Sequence, residues 1–248
     1  MALGPLAGTL LLRPYVFLFL AAFLAIAWKD LGGRRALGWL GLGFGVALAA
    51  ELCSTRWGFP FGLYRYTGAT AGRELYLSNV PAFDPLCFPF LAYASWCLAR
   101  RVLGASRGGR VVALAALLMT LLDVVIDPLA VRGERWFLGH LFDYPEAGVY
   151  FGVPLSNFAG WLLVGLAIVG GFLALSRAAP AASPAPGVAL YYSVLAFNLA
   201  LTAWIGERAL LASGVALHAA AGAWLWARGA GWRPALSAQG LGRDGAAG

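Results

Sequence analysis

The sequence predicts an all-α protein, a polytopic membrane bundle of about seven transmembrane helices. Three observations lead there. The chain is 61% hydrophobic and only 12% charged, whereas soluble domains carry roughly 25% charged residues. Its apolar residues gather into runs near the ~20 residues that a spanning helix needs. Finally, nine of its eleven carboxylates fall at one end of the bundle those runs imply.

The runs are 12–29, 36–53, 82–100, 111–127, 153–174, 188–206 and 209–227. The first lacks a small-residue cleavage site, so it is expected to be a retained helix and not a cleaved signal peptide. A tight basic turn, Lys29 to Arg35, leads into the second run, which Glu51 closes. The third opens on Asp84-Pro85, which reads as an N-cap with proline at the first helical position. Arg100–Arg110 joins it to the fourth, whose end, LLDVVIDPL, should stop at Pro128 because the residue before proline disfavours the helical region. Asn157 opens the fifth. A Pro/Ala/Ser linker, Ala178–Gly187, reads as flexible. Glu207 and Arg208 form a short, solvated turn into the small-residue-rich seventh run. Residues 1–228 are expected to form a single domain, and 229–248 a disordered Gly/Ala-rich tail. The two long connections, 54–81 and 128–152, are rich in aromatics, Gly and Arg. Their Trp57, Tyr64, Tyr66, Trp136, Phe142 and Tyr144 suit either an interfacial aromatic belt or a lid folded back over the helix ends.

Net charge is +7, and all basic residues except Lys29 are arginines. They are dispersed through short loops, with no stripe to bind nucleic acid, so they read as topology determinants and headgroup contacts. Seven spans put eleven basic residues on the face of Lys29, Arg100 and Arg228, and seven on the face of Arg13, Arg56 and Arg132. The first face is expected to be cytoplasmic, which places the amino terminus outside an inner, multi-pass cell membrane location. The arginines of the outer face are expected to partner its acids. Cys53, Cys87 and Cys97 form no C-x-x-C, so neither a disulfide framework nor a zinc site is implied, and Cys87 and Cys97 read as small apolar packers.

Ionisable groups at membrane depth mark a working site by default. Asp123 and Asp127, at i and i+4, share one helix face a turn apart. Two carboxylates so close in a poorly solvated place tend to share a proton. With Glu51 they are the catalytic candidates: Asp123 as proton donor, Asp127 as its electrostatic partner. The plainer alternatives are ion pairs, Asp127 with Arg132 or Arg135 and Glu51 with Arg56. Asn157 could hold water or bind a facing helix, and with Tyr64, Tyr66, Arg56 and Trp161 it is a candidate to contact substrate or water. Asn198 reads as helix–helix glue. His140 and His218 stand alone without metal-ligand spacing, and no nucleotide, flavin or serine-hydrolase motif appears, so no metal and no cofactor is expected.

Three segments taken together carry a resemblance: GFPFGLYRYTG (58–68), VPAFDPLCFPFLAY (80–93), and LLDVVIDPLA (121–130) with YFGVPLSNFAGW (150–161). The set is similar to the carotenoid biosynthesis membrane family that includes the CruF-type carotenoid 1,2-hydratases and the bisanhydrobacterioruberin hydratases. The resemblance is densest over residues 45–165. It implies water addition across the terminal C1–C2 double bond of a linear ψ-end carotenoid, drawn from the bilayer, and association with other enzymes of the same pathway. The residues agree on chemical grounds. Hydrating an unactivated alkene takes a neutral carboxylic acid to protonate C2, aromatic faces or a carboxylate near the C1 cation, and a held water. A carotenoid cyclase or other proton-initiated isoprenoid enzyme shares the first step, and a lipophile carrier or transporter is the non-enzymatic rival. A prenyltransferase fits poorly, because only one D-x-x-x-D is present to hold metal and diphosphate.

Overall fold

The computed structural model describes residues 4–176 and 180–227. It is all-α in its bundle: eight helices, α1 (Pro5–Leu12), α2 (Pro14–Leu31), α3 (Gly33–Trp57), α4 (Cys87–Leu103), α5 (Gly109–Ala130), α6 (Leu155–Leu175), α7 (Ala185–Trp204) and α8 (Arg208–Ala227). The seven longer helices answer to the seven apolar runs. Six are long and apolar enough to cross a membrane by length and composition. The seventh, α4, has 17 residues and sits at the centre, with every residue from Phe88 to Arg100 buried. A helix buried all round belongs to the interior of a bundle. Around it, α5 packs against α6 and α4, α7 against α4, and α3 against α6 and α4. Close approach is set by small residues: a Cβ on Gly165 would lie 3.0 Å from the Ala116 Cα across the α5–α6 contact. Most of α8 is exposed, as its span is only 17% buried.

Three expectations change. The first run is realised as α2, but an unexpected helix precedes it: the chain breaks at Arg13, and the short α1 turns back against the first long connection, where Thr9 Oγ1 accepts the Leu75 N–H at 2.8 Å. Pro128 does not stop α5, which runs on to Ala130. In the last turn proline forfeits only one helical bond, and Val131 N–H still closes on the Asp127 carbonyl at 2.9 Å. The described part of the 178–187 linker is tied down, with Ala181 N–H on the Asp30 carbonyl at 2.8 Å and Ala182 N–H on Asp30 Oδ1 at 3.1 Å. Residues 177–179 lie outside the described residues, as do the expected disordered tail 229–248 and the basic residues Arg177, Arg228, Arg233 and Arg243.

The two long connections fold back over one end of the bundle, the end that carries Glu51, Asp127 and the start of α6. They pair with each other: β1 (Arg65–Tyr66) runs antiparallel to β4 (Phe142–Asp143), with Tyr66 opposite Phe142. A hairpin, β2 (Tyr76–Leu77) with β3 (Val80–Pro81), lies in the first connection. Arg13 anchors this cap. Fully buried, it forks onto Glu74 at 3.1 and 3.2 Å and reaches the Leu138 carbonyl at 3.0 Å, so one guanidinium holds both connections. The expected pairing of outer-face arginines with acids also holds for Arg65 with Asp143 at 3.2 Å and for Arg132 and Arg135 with Glu207. That last pair ties the α7–α8 turn to the second connection, where a free solvated turn was expected.

Candidate functional site

Four carboxyl groups meet beneath the cap. Glu51 comes from the last turns of α3, Asp123 and Asp127 from the end of α5, and Asp84 from the turn before α4. Asn157 and Trp161 face them from the first turns of α6. The Asn157 amide donates to Asp123 Oδ2 at 2.8 Å and to Asp127 Oδ2 at 2.7 Å, and the Trp161 indole N–H reaches Asp127 Oδ2 at 3.2 Å. On the other side, the Tyr66 hydroxyl sits between Glu51 Oε2 at 2.9 Å and Asp84 Oδ2 at 2.5 Å. Two of the acids also have an oxygen with no partner: Glu51 Oε1 and Asp123 Oδ1 are buried and unbonded. Such groups are rare in folded proteins and call for an explanation.

Two cavities meet at this cluster. One is small and partly polar, about 30 Å³, lined by Glu51, Tyr66, Asp84, Asp127, Asn157 and Tyr144 among others. It has room for water, which needs roughly 10–15 Å³. The other, about 90 Å³, is apolar and runs between α2, α4, α5 and α7, past Phe19, Phe90, Ile126 and Val194. Asp84, Asp127, Phe142 and Trp161 line both, so they form the wall between them. Asp123 is among the lining residues of neither; it lies behind Asp127, with no exposed surface. No lysine or arginine lines either cavity. Burial pushes the Asp84 carboxyl up to about 6, against the lowering effect of the Tyr66 O–H. Burial, with Asp84 and Glu51 beside it, drives the Tyr66 phenol well above its ordinary range.

Aromatic faces complete the wall. Tyr64 meets Tyr66 and Phe142 edge-to-face and Tyr144 at a tilt, with centroids 5.5 to 5.9 Å apart. Phe88 stacks on Trp161 at 4.5 Å. Both long connections therefore act as a lid whose inner surface is aromatic.

The structure brings together Glu51, Asp123, Asp127, Asn157, Tyr64, Tyr66 and Trp161 from the sequence reading, and it leaves out Arg56. That side chain is exposed and bonds the Leu52 carbonyl at 2.9 Å and Ser78 Oγ at 3.0 Å. Five residues along a helix is about 140° of rotation, so Arg56 points away from Glu51 and neither pairs with it nor reaches the cavities. Asp127 likewise makes no pair with Arg132 or Arg135, which are held by Glu207. Asp84 is the residue the sequence reading passed over. It does not cap α4, whose N-cap is Leu86 without a side-chain bond; it turns into the cavities instead. Its signal was an acid within the aromatic run VPAFDPLCFPF, where no basic residue follows to pair with it. Asn198 bonds the Val194 carbonyl of its own helix at 2.9 Å and lines the apolar cavity, so it does not bridge helices. Cys97 is fully buried and Cys87 borders the apolar cavity, both unpaired. Among the described residues, no group of three or more His, Cys, Asp or Glu side chains is placed to hold a metal ion.

An apolar cavity that ends on uncompensated acids in a membrane bundle can bring a proton to a lipophilic molecule. A bisanhydrobacterioruberin hydratase of Haloarcula japonica is 36% identical over 117 residues, a match covering 46% of this chain and 37% of that protein. The chain therefore aligns with well under two thirds of that relative's length. No solved structure matches. The description carotenoid biosynthesis protein matches residues 12–227, nearly the whole described bundle, and the chain belongs to that family.

Proposed function

We propose that this protein is a carotenoid hydratase, adding water across the terminal C1–C2 double bond of a linear ψ-end carotenoid to give a tertiary 1-hydroxy end. The observation that carries the reading is the meeting of an apolar cavity and a water-sized polar cavity at a wall of carboxyls with no cation in the lining. Acids this close in poor solvent, with no cation in the cavity lining, share protons instead of all ionising together. In the proposed reaction a carboxyl group protonates C2 and the tertiary cation forms at C1. The aromatic faces of Phe142 and Trp161 and a carboxylate beside them stabilise that cation. Water from the polar cavity then adds to C1 and gives up its proton to a second carboxylate. Glu51, Asp123 and Asp127 are the proton-handling residues, and Tyr64, Tyr66, Asn157 and Trp161 shape the place where water and alkene meet. A site of about 90 Å³ is well below the roughly 300–1,000 Å³ of pockets that enclose a whole ligand, so only the end of the polyene enters.

The water-sized cavity favours hydration over cyclisation, since a cyclase must exclude water from its cation. The acid-bearing end is placed outside the cell membrane and the carboxyl terminus in the cytoplasm, on the excess of basic residues at the opposite end. Expression in a lycopene-accumulating host, with pigments resolved by mass, tests the function. A product one water heavier is expected. A new pigment of unchanged mass would indicate cyclisation, and unaltered pigment would remove lycopene from the substrate range.

A further inference from the structure

The hydrogen bonds inside the acid cluster are unequally distributed. On one side, Asp84 and Glu51 share a single donor: Tyr66 has one hydroxyl hydrogen and two carboxyl oxygens at 2.5 and 2.9 Å. An ionised carboxylate donates nothing, so one of these two contacts is completed by a carboxyl proton. Glu51 Oε1 remains buried and unbonded, 2% of its residue exposed, beside the polar cavity. On the other side, Asp127 receives two donors, Asn157 Nδ2 and Trp161 Nε1, and Asn157 spends its second hydrogen on Asp123. Donors stabilise the charged form. One arm is short of donors and keeps a proton; the other is rich in donors and keeps a charge. Each arm presents one acid to both cavities, Asp84 and Asp127 respectively.

We propose that the two arms divide the reaction: Asp84, resupplied from Glu51 through Tyr66, is the acid that protonates the alkene, and Asp127, held by Asn157 and Trp161, is the base that takes the proton of the attacking water. The inference rests on the hydration reading above. The Asp84 proton forms the C2–H bond as the π pair moves to it, leaving C1 cationic. A water oxygen from the polar cavity bonds to C1, and its proton passes to Asp127. That proton returns through the polar cavity, which Asp127 and Glu51 both line, and reaches Asp84 by way of Tyr66. The sum is one alkene plus one water, with no proton consumed. Asp84 and Asp127 are catalytic residues in this scheme; Glu51 and Tyr66 act through Asp84. Asp123, placed behind Asp127, takes up the proton of its own pair and does not meet the substrate.

The test follows two labels separately. Membranes carrying wild type or a variant turn over a ψ-end carotenoid in D₂O enriched in ¹⁸O, and both product and recovered substrate are read by mass. Wild type is expected to place deuterium at C2 and ¹⁸O in the hydroxyl. Asp127→Asn keeps the acid arm but has no base for the attacking water: the C1 cation reverts by returning its C2 deuteron to the Asp84 carboxylate, and hydroxylated product falls by about 10²–10⁴-fold. Asp84→Asn should lose both labels. Tyr66→Phe keeps the ring contacts with Tyr64 and Phe142 and should cut kcat about tenfold with KM unchanged and an enlarged solvent isotope effect. Near-normal hydration by Asp84→Asn, or by a folded Asp127→Asn, overturns the division. If Asp84→Asn fails to accumulate, Tyr66→Phe decides: an unaltered kcat and isotope effect sinks the acid arm. Wild type incorporating neither label would instead defeat the hydration reading, and this inference with it.

Discussion

The two ends of the bundle treat a buried carboxylate in opposite ways. At the end away from the cap, Asp30 is 2% exposed and every one of its needs is met. Arg100 forks onto it at 2.5 and 3.4 Å, the Tyr93 hydroxyl donates at 2.8 Å, and the Ala182 N–H donates at 3.1 Å. Arg100 is itself held over the Trp96 ring, 4.6 Å from its centroid, and by the Ala182 carbonyl. This acid links α2, α4 and the chain leading to α7, and has nothing left with which to react. At the capped end, four acids share one phenol, one amide and one indole, with two oxygens unbonded. A saturated ion pair specifies structure; an under-satisfied cluster stores reactivity and is tolerated because the surrounding helices fix it.

The sharpest way to break this contrast is to replace one acid at each end by its amide. Asp127→Asn should lower hydration by about 10²–10⁴-fold, the usual worth of a positioned proton-transfer group. Its thermal midpoint in detergent should stay near wild type, because an uncompensated charge has been removed from a crowded site. Asp30→Asn should do the reverse, with lower stability and turnover per folded molecule preserved. Matching losses of stability in both would show that the capped acids are structural.

The Asp30 pair allows a second, energetic check. Arg100→Met strands a buried carboxylate and is expected to cost about 3–5 kcal/mol, the range for breaking one side of a buried pair. Arg100→Met combined with Asp30→Asn should lose clearly less than the single change, measured by thermal or denaturant unfolding in detergent. Additive losses would mean that the pair does not hold this end together.

Much of this was legible in the sequence, for reasons that differ by residue. Lipid imposes a minimum apolar length, so seven helices could be counted without knowing how they pack. Asp123 and Asp127 were legible because helical periodicity alone sets them on one face. Asn157 was visible as an amide within an apolar run. Asp84 was hidden because Asp-Pro before a helix matches a local capping pattern, whereas what holds it is Tyr66, 18 residues earlier and on a strand made only when the two long connections pair. Arg56 erred the other way: it lies near Glu51 along the chain, but helical geometry turns it outward. The small α1 escaped notice because its apolar residues run straight into the next helix. What sequence patterning conveys is position along and around one element; what it omits is which loop comes back to cover that element.

A third experiment concerns how tightly the cap is pressed onto the acids. Gly160 lies on α6 between Asn157 and Trp161, and a Cβ there would sit 2.5 Å from Phe61 Cδ1 and 2.8 Å from the Pro60 carbonyl. Gly160→Val should force the first connection off the helix, costing about 1–3 kcal/mol as overpacking does. Because Phe61 also lines the polar cavity, turnover should fall with it. Gly170, further along α6, has only Val112 Cγ1 at 3.5 Å, so Gly170→Ala serves as a control expected to leave both readouts near wild type. An unimpaired Gly160→Val would show that the connection is not seated on α6 there.

The smallest effect is on pH dependence and isolates one acid of the capped end. Burial raises the Asp84 carboxyl from 3.8 to about 6, so between those values the folded protein holds a proton that the unfolded chain releases. Stability then falls as pH rises through that window, because the unfolded state binds fewer protons than the folded one. The contribution is present in full below 3.8 and is lost as pH passes about 6. Asp84→Asn cannot titrate, so it should flatten the decline in thermal midpoint between pH 4 and 6 relative to wild type. Asp30→Asn should leave that part of the slope in place, since it leaves Asp84 and its surroundings untouched. An undiminished slope in Asp84→Asn would mean that Asp84 is ionised in the folded state throughout that window, and the proton store of the acid arm would have to lie on Glu51.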